Sequence, residues 1–260
     1  MKRLALMLFS GGLLVGCAGA RSTNPKDIVS PTPAWSTDDG RASTRLELTD
    51  ALIDSGSPEA ALELIARVRE EDGGGPDLDV LQARALLHMG LVDEAERLLQ
   101  RTVRRHRRHG DAWQQLGILL MDQHKPALAV DAFQSAARAN PSDAESWNNL
   151  GFALHSAGRS EDAVAPLRRA LRVDGSDRRA RNNLGYALVA SGNIDEAWRT
   201  FRATAPEADA RFNLALGLEL AGDPEGARAN YARALVADPE HTEAREALVR
   251  ISPPTPKDSP

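Results

Sequence analysis

Four carboxamides occupy matching places in this chain, each immediately before a leucine: Gln115 in "WQQLGILL", Asn149 in "WNNLGFAL", Asn183 in "NNLGYALVA" and Asn213 in "FNLALGLEL". A carboxamide both donates and accepts hydrogen bonds, so such a series can satisfy the backbone N–H and C=O of an extended peptide without reading its side chains. Three residues further on, in the same four segments, stand Ile118, Phe152, Tyr186 and Leu216. Facing solvent, they would form an oily strip of the kind that soluble chains seldom expose without a use. Asn148, beside Asn149, recurs only as Asn182 and carries less weight than its neighbour.

Side chains able to make or break bonds are not arranged to do so. There is no phosphate-cradling glycine loop, no serine elbow and no zinc motif. His106 and His109 lie three apart in "RTVRRHRRHG", but no third ligand stands nearby at a suitable spacing, so no metal is expected. Glu59, Glu94, Asp162 and Glu196 fall where helices are predicted to begin, and carboxylates there complement the positive end of the helix dipole. No catalysis, cofactor or small-molecule substrate is expected. The basic run around His106 has two readings: a solvated helix end whose cations complement the dipole, or a contact for phosphate-bearing envelope polymers or lipid headgroups.

The elements that must position these residues are read from composition first. Of 260 residues 42% are hydrophobic but only 4% aromatic, and Ala and Leu dominate. That favours close-packed helices over a β-sandwich, which draws on Val, Ile and aromatics. A net charge of −5 argues against nucleic acid as partner, because phosphate binding needs an excess of Lys and Arg.

The first twenty residues, "MKRLALMLFSGGLLVGCAGA", set Lys2 and Arg3 ahead of an apolar run from Leu4 to Val15. This reads as a secretory signal; a bilayer-spanning helix needs about 20 apolar residues. Leu14-Val15-Gly16-Cys17 resembles the bacterial lipoprotein box, which implies removal of residues 1–16 and acylation of Cys17, the only cysteine. Each buried methylene of an acyl chain adds about 0.8 kcal/mol, so several chains anchor a protein firmly. Loss of Lys2 and Arg3 takes the charge from −5 to −7. Ala18 after the cysteine, with no Asp there, resembles outer-membrane sorting, and the expected location is the bacterial envelope, facing the periplasm. Residues 17–41 are rich in Ser, Thr, Pro, Asp and Gly and read as a tether with a typical span of about 27 Å. Trp35 within it is unassigned. The tail "SPPTPKDSP" reads as disordered.

Between these ends Ala61, Ala95, Ala129, Ala163 and Ala197 recur every 34 residues, and Gly117, Gly151 and Gly185 keep the same interval. A fixed period of this size means stacked helical hairpins. Trp113, Leu116, Gly117, Leu120, Ala129, Phe133, Ala136 and Pro141 together resemble the tetratricopeptide repeat at every signature position. The resemblance implies an all-α fold: a right-handed α-solenoid of about six hairpins, in units 42–75, 76–109, 110–143, 144–177, 178–207 and 208–241, closed by a helix over 242–251. Gly56, Gly90, Gly158, Gly192 and Gly222 mark the bends. Arg181 and Arg211 replace the large aromatic, so that corner packs differently or is more exposed in the later units. The spacing falls to 30 between Ala197 and Ala227, about one helical turn short, which predicts a truncated second helix near Thr204.

In the resembled family the first helix of each hairpin lines a ligand groove. Gln115, Ile118, Asn149, Phe152, Asn183, Tyr186, Asn213 and Leu216 would lie on it and contact a protein or peptide partner. Two plainer readings stand beside this one: Asn is common at its place in the family, and a terminal segment could cover the apolar residues. "NNLGYALVASGNIDEAWRTF" and "ARFNLALGLELAGD" resemble the TadD-type lipoproteins of tight-adherence (Flp) pilus assembly over most of residues 42–250. That resemblance implies a non-catalytic scaffold for a secretin and pilus machine. The alternative is an envelope adaptor that recruits peptidoglycan hydrolases or a periplasmic protease.

Overall fold

The computed structural model describes residues 38–251, with side chains from Ser43 onward. The signal segment, Cys17, Trp35 and the tail from Ser252 lie outside the described residues. The repeat domain is the compact unit that begins at Ala42. All the described elements are helices, paired as hairpins: α1 Asp38–Asp54 with α2 Pro58–Asp72, α3 Pro76–His88 with α4 Val92–Arg105, α5 Gly110–Asp122 with α6 Pro126–Ala139, α7 Ala144–Ser156 with α8 Ser160–Val173, α9 Arg178–Ala190 with α10 Ile194–Arg202, and α11 Glu207–Leu220 with α12 Pro224–Ala237. A last helix, α13 Thr242–Ile251, follows alone. Helix α1 begins at Asp38, so the last four residues assigned to the tether are helical. Among the described residues no helix is long and apolar enough to cross a membrane.

Each first helix stops the same way. After α7, Gly158 takes φ of 76°, its N–H bonds His155 O at 2.9 Å, and Arg159 N–H bonds Leu154 O at 2.9 Å. The reversed residue lets two orphan carbonyls find partners, and glycine takes that conformation without a Cβ penalty. In the third hairpin the place belongs to His124, at φ 57°, with the same bonds to Met121 O and Leu120 O.

What joins the two helices of a hairpin is a close approach. A Cβ on Gly117 would lie 2.6 Å from Phe133, one on Gly151 would lie 2.3 Å from Leu167, and one on Gly185 would lie 2.3 Å from Phe201. Ala61, Ala95, Ala129, Ala163, Ala197 and Ala227 on the second helices are wholly buried. First helices then lie side by side, α3 with α5, α7 with α9 and α9 with α11, and each second helix packs on the next first helix. One apolar core runs from Val80 to Ala247; a separate cluster of Ile53, Ala61, Ile65, Val68, Leu78, Leu81 and Ala85 joins the first hairpin to α3.

The predicted shortening falls on α10, which has 9 residues where α4, α6, α8 and α12 each have 14. Pro206 caps α11. Phe201 keeps its place beneath Gly185, so the hairpin contact survives although the helix ends one turn early.

The corner is packed differently from one unit to the next. Trp113 Nε1 donates to Arg107 O at 2.9 Å and Trp147 Nε1 to Pro141 O at 3.0 Å, each six residues back. Arg181 donates through its guanidinium to Gly175 O, and Arg245 to Pro239 O, at the same separation. Arginine thus keeps the bond that ties the loop to the first helix and replaces only the ring. Arg211 instead lies 3.9 Å over the Trp198 ring, a cation–π contact.

Gly151→Ala adds a methyl where Leu167 has no room to retreat. Despite alanine's better helix propensity, the variant is expected to lose about 1–3 kcal/mol, the usual cost of overpacking. Urea unfolding of the variant checks this, and Leu167→Val in the same chain should recover part of the loss.

Candidate protein-binding face

The four carboxamides and four apolar residues do lie on the first helices, α5, α7, α9 and α11. A helix turns by about 100° per residue, which carries a side chain three residues on back near the same face. The structure separates them by exposure. Phe152 is 43% exposed, whereas Ile118, Tyr186 and Leu216 are half-buried. Ile118 and Tyr186 pack against the core; the Tyr186 ring meets Phe201 edge-on, with centroids 5.4 Å apart. The oily strip is therefore one open ring at α7, flanked by residues that have turned partly inward to help join successive hairpins.

The amides form a connected set rather than independent rungs. Asn183 Nδ2 donates to Asn148 Oδ1 at 2.8 Å, across two hairpins, and Asn148 Nδ2 donates to Asn149 Oδ1 at 3.3 Å. Asn148, given less weight from sequence, is buried at 4% exposure and holds the junction together. Its one recurrence, Asn182, was the available signal, and it does not reveal a contact made to Asn183. Tyr186 Oη donates to Asn213 Oδ1 at 3.4 Å, and burial raises the phenol above its ordinary pKa, so it stays a donor. Asn149, Asn183 and Asn213 are half-buried, and each spends one amide atom in these bonds and keeps the other outside them. Gln115 stands apart, lining a hollow of about 340 Å³ with Leu46, Val80, Leu81, Asp77 and Asp111.

At the other end of this face, where α10 is cut short, a hollow of about 450 Å³ is lined by Asn182, Phe201, Asp209, Phe212 and Asn213. His241, nearly buried, closes it against the Phe212 ring, 5.2 Å between centroids, with Nε2 3.3 Å from Asp209.

One group does approach metal-ligand geometry. Asp77, His109 and Asp111 bring one ligand atom each within 4.8 Å of one another, so the third ligand absent from the local spacing arrives from the preceding hairpin. His106 takes no part. The imidazole of His109 is already committed, however: Nδ1 accepts the Ala112 N–H at 3.1 Å as the helix cap, and Nε2 lies 2.9 Å from Asp77 Oδ1. With Nδ1 an acceptor, the neutral ring carries its proton on Nε2 and gives it to Asp77, leaving no lone pair for an ion.

Models of the tetratricopeptide repeat match residues 115–172, 156–211 and 183–242, and a second such model matches residues 52–117. The chain belongs to the tetratricopeptide-repeat family. Among solved structures, YrrB, described as a tetratricopeptide-repeat protein with an unusual peptide-binding site, is 22% identical with a TM-score of 0.56, over 70% of this chain and 96% of that one. MamA from Desulfovibrio magneticus RS-1 is 20% identical with a TM-score of 0.52, over 63% and 92%. The Naa15/Naa10 complex bound to HypK-THB gives 15% and 0.56, over 81% of this chain and 34% of that one. At these identities the likeness establishes the fold alone. No curated protein sequence matches the chain significantly. A tetratricopeptide-repeat solenoid is a scaffold for protein–protein interaction.

Asn148→Ala removes a buried acceptor and leaves Asn183 unpaired; it is expected to cost about 1–2 kcal/mol. Asn149→Ala takes from Asn148 the acceptor of a longer, 3.3 Å bond and should cost less, about 0.5–1 kcal/mol. Thermal melts of the two variants side by side check the order.

Proposed function

We propose that the protein is a lipid-anchored envelope scaffold that receives a segment of a protein partner on the face of α5, α7, α9 and α11, in the assembly or localisation of a pilus or secretion machine. Phe152 carries this reading. It is a large ring left open at the centre of an ordered helical face, beside amides that retain bonding capacity, and such a ring is the usual anchor of a protein contact. The repeat fold supports a scaffold. The pilus context is supported by the segments "NNLGYALVASGNIDEAWRTF" and "ARFNLALGLELAGD", and the anchor by "LVGC" ahead of a tether.

Because Phe152 is exposed and Tyr186 is packed on Phe201, Phe152→Ser tests the face without disturbing the core. Cross-linking in whole cells, followed by recovery of the chain, should give secretin or pilus-assembly partners with the parent and several-fold less with Phe152→Ser, at unchanged melting temperature. Equal recovery would remove the face from the argument. Feeding cells a labelled fatty acid should mark the parent and not Cys17→Ala; an unlabelled parent would refute the anchor and leave the face untouched.

A further inference from the structure

Two hollows beside the tryptophans of first helices differ in charge. The one around Trp147, bounded by residues of α6, α7 and α8, carries mixed charge: Arg159, Arg169 and Arg172 line it with Asp131 and Asp162, and Arg159 pairs with Asp162 at 2.8 Å. The one around Trp113, about 610 Å³, is lined by Arg104, Arg107, Arg108 and Arg138 with Val103, Ser135 and Ala139, and no carboxylate lines it.

All four of these guanidiniums are exposed, and among the described residues none meets a carboxylate. Arg45, Arg69, Arg84, Arg168 and Arg250 bridge to acids of other helices, while other exposed arginines, Arg101 and Arg178 among them, stand singly. What sets this groove apart is the gathering: four arginines line one hollow that no carboxylate lines, in a chain with 37 acidic and 32 basic residues. The dipole accounts for Arg104 and Arg138, which stand in the last turns of α4 and α6. It does not account for Arg107 and Arg108, which lie beyond the last residue of α4, in a loop pinned to α5 by the bond from Trp113 Nε1 to Arg107 O. That bond fixes where the two guanidiniums start and spends the indole's only donor, so the ring offers the groove an apolar wall.

We infer that this groove is a binding site for a phosphate ester. The chemistry favours phosphate over carboxylate. Guanidinium forks from three segments supply more donors and more charge than one two-oxygen anion can use, whereas a phosphate group presents three acceptor oxygens and up to two negative charges. A lipid headgroup and a soluble phosphorylated polymer both present that group. The site is independent of the protein-binding face, and its test does not depend on that face.

The full chain, titrated with tripolyphosphate at low ionic strength and followed by tryptophan emission, should give a saturable change that disappears in Trp113→Phe. Arg107→Gln with Arg108→Gln should weaken it by about ten-fold, and adding Arg104→Gln and Arg138→Gln should abolish it. Lysine at all four places keeps the charge but not the fork and should restore only part of the response, which separates recognition from general attraction and guards against a misfolded Gln variant. No saturable change, an unaltered response in the four-Gln chain, or an equal response to citrate would overturn the inference; the last would point to an acidic protein segment instead. Flotation with phosphatidylcholine vesicles, with and without about 30 mol% phosphatidylglycerol, assigns the source. Arginine-dependent enrichment on the charged vesicles identifies the headgroup. A tripolyphosphate response without that enrichment identifies a soluble phosphorylated polymer.

Discussion

The three central hairpins are placed by the contact between a residue without a side chain on the first helix and a large side chain on the second. Gly117 over Phe133, Gly151 over Leu167 and Gly185 over Phe201 bring backbone and side chain closer than any Cβ would allow. That contact sets the rotation of α5, α7 and α9 about their own axes, and the rotation decides which of their side chains are covered. Counting about 100° per residue from Gly151, Asn148 lies about 60° from the packed direction, Phe152 about 100° and Asn149 about 160°. The order of burial follows this geometry: Asn148 is buried and Phe152 is open at the edge of the packed sector. The departure is Asn149, which is half-buried rather than open, with its amide oxygen held by Asn148.

The same geometry explains what could be read from the sequence and what could not. The hairpins, their bends and the shortened α10 were legible because they depend on residues of one unit at one fixed interval. Glycine at a reversed φ, alanine at a wholly buried place and a 30-residue gap each leave a mark in a single chain. The structural role of Asn148 was not legible because its partner, Asn183, lies in the next hairpin, one residue out of phase with the repeat. His109 was read against His106, whereas the fold brings Asp77 to its ring from the hairpin before. Arg181 was read as the loss of an aromatic, whereas the conserved physical element is a donor long enough to reach the carbonyl six residues back. Periodicity reports contacts inside a unit well and contacts between units poorly, since each repeat meets only its neighbours and their side chains differ from one junction to the next.

The last described helix carries the pattern of the hairpins one step further. Helix α13 has the features of a first helix: His241 caps it through Nδ1, which accepts the Ala244 N–H at 3.3 Å, as His109 caps α5. Arg245 makes the six-residue bond to Pro239 O, and Leu248 packs on the core where Leu116 does in its own unit. Arg250 and Tyr231 both bond Glu219, and these bonds, that of Arg250 foremost, hold the carboxyl below its ordinary pKa and fasten the last helix to α11 and α12.

Four residues after Arg245, where Gly117 stands four after Trp113, the chain places Val249, and it is 73% exposed. At that place α5, α7 and α9 carry glycine, α3 and α11 carry Ala83 and Ala215, and α1 carries the β-branched Thr49, and every one of them is buried. A side chain at this position is covered wherever a second helix packs on its own first helix, whatever its shape. Helix α13 packs on α12 with one side, and among the described residues nothing packs on the side that carries Val249. The exposure of Val249 therefore marks the surface that each hairpin hides between its two helices.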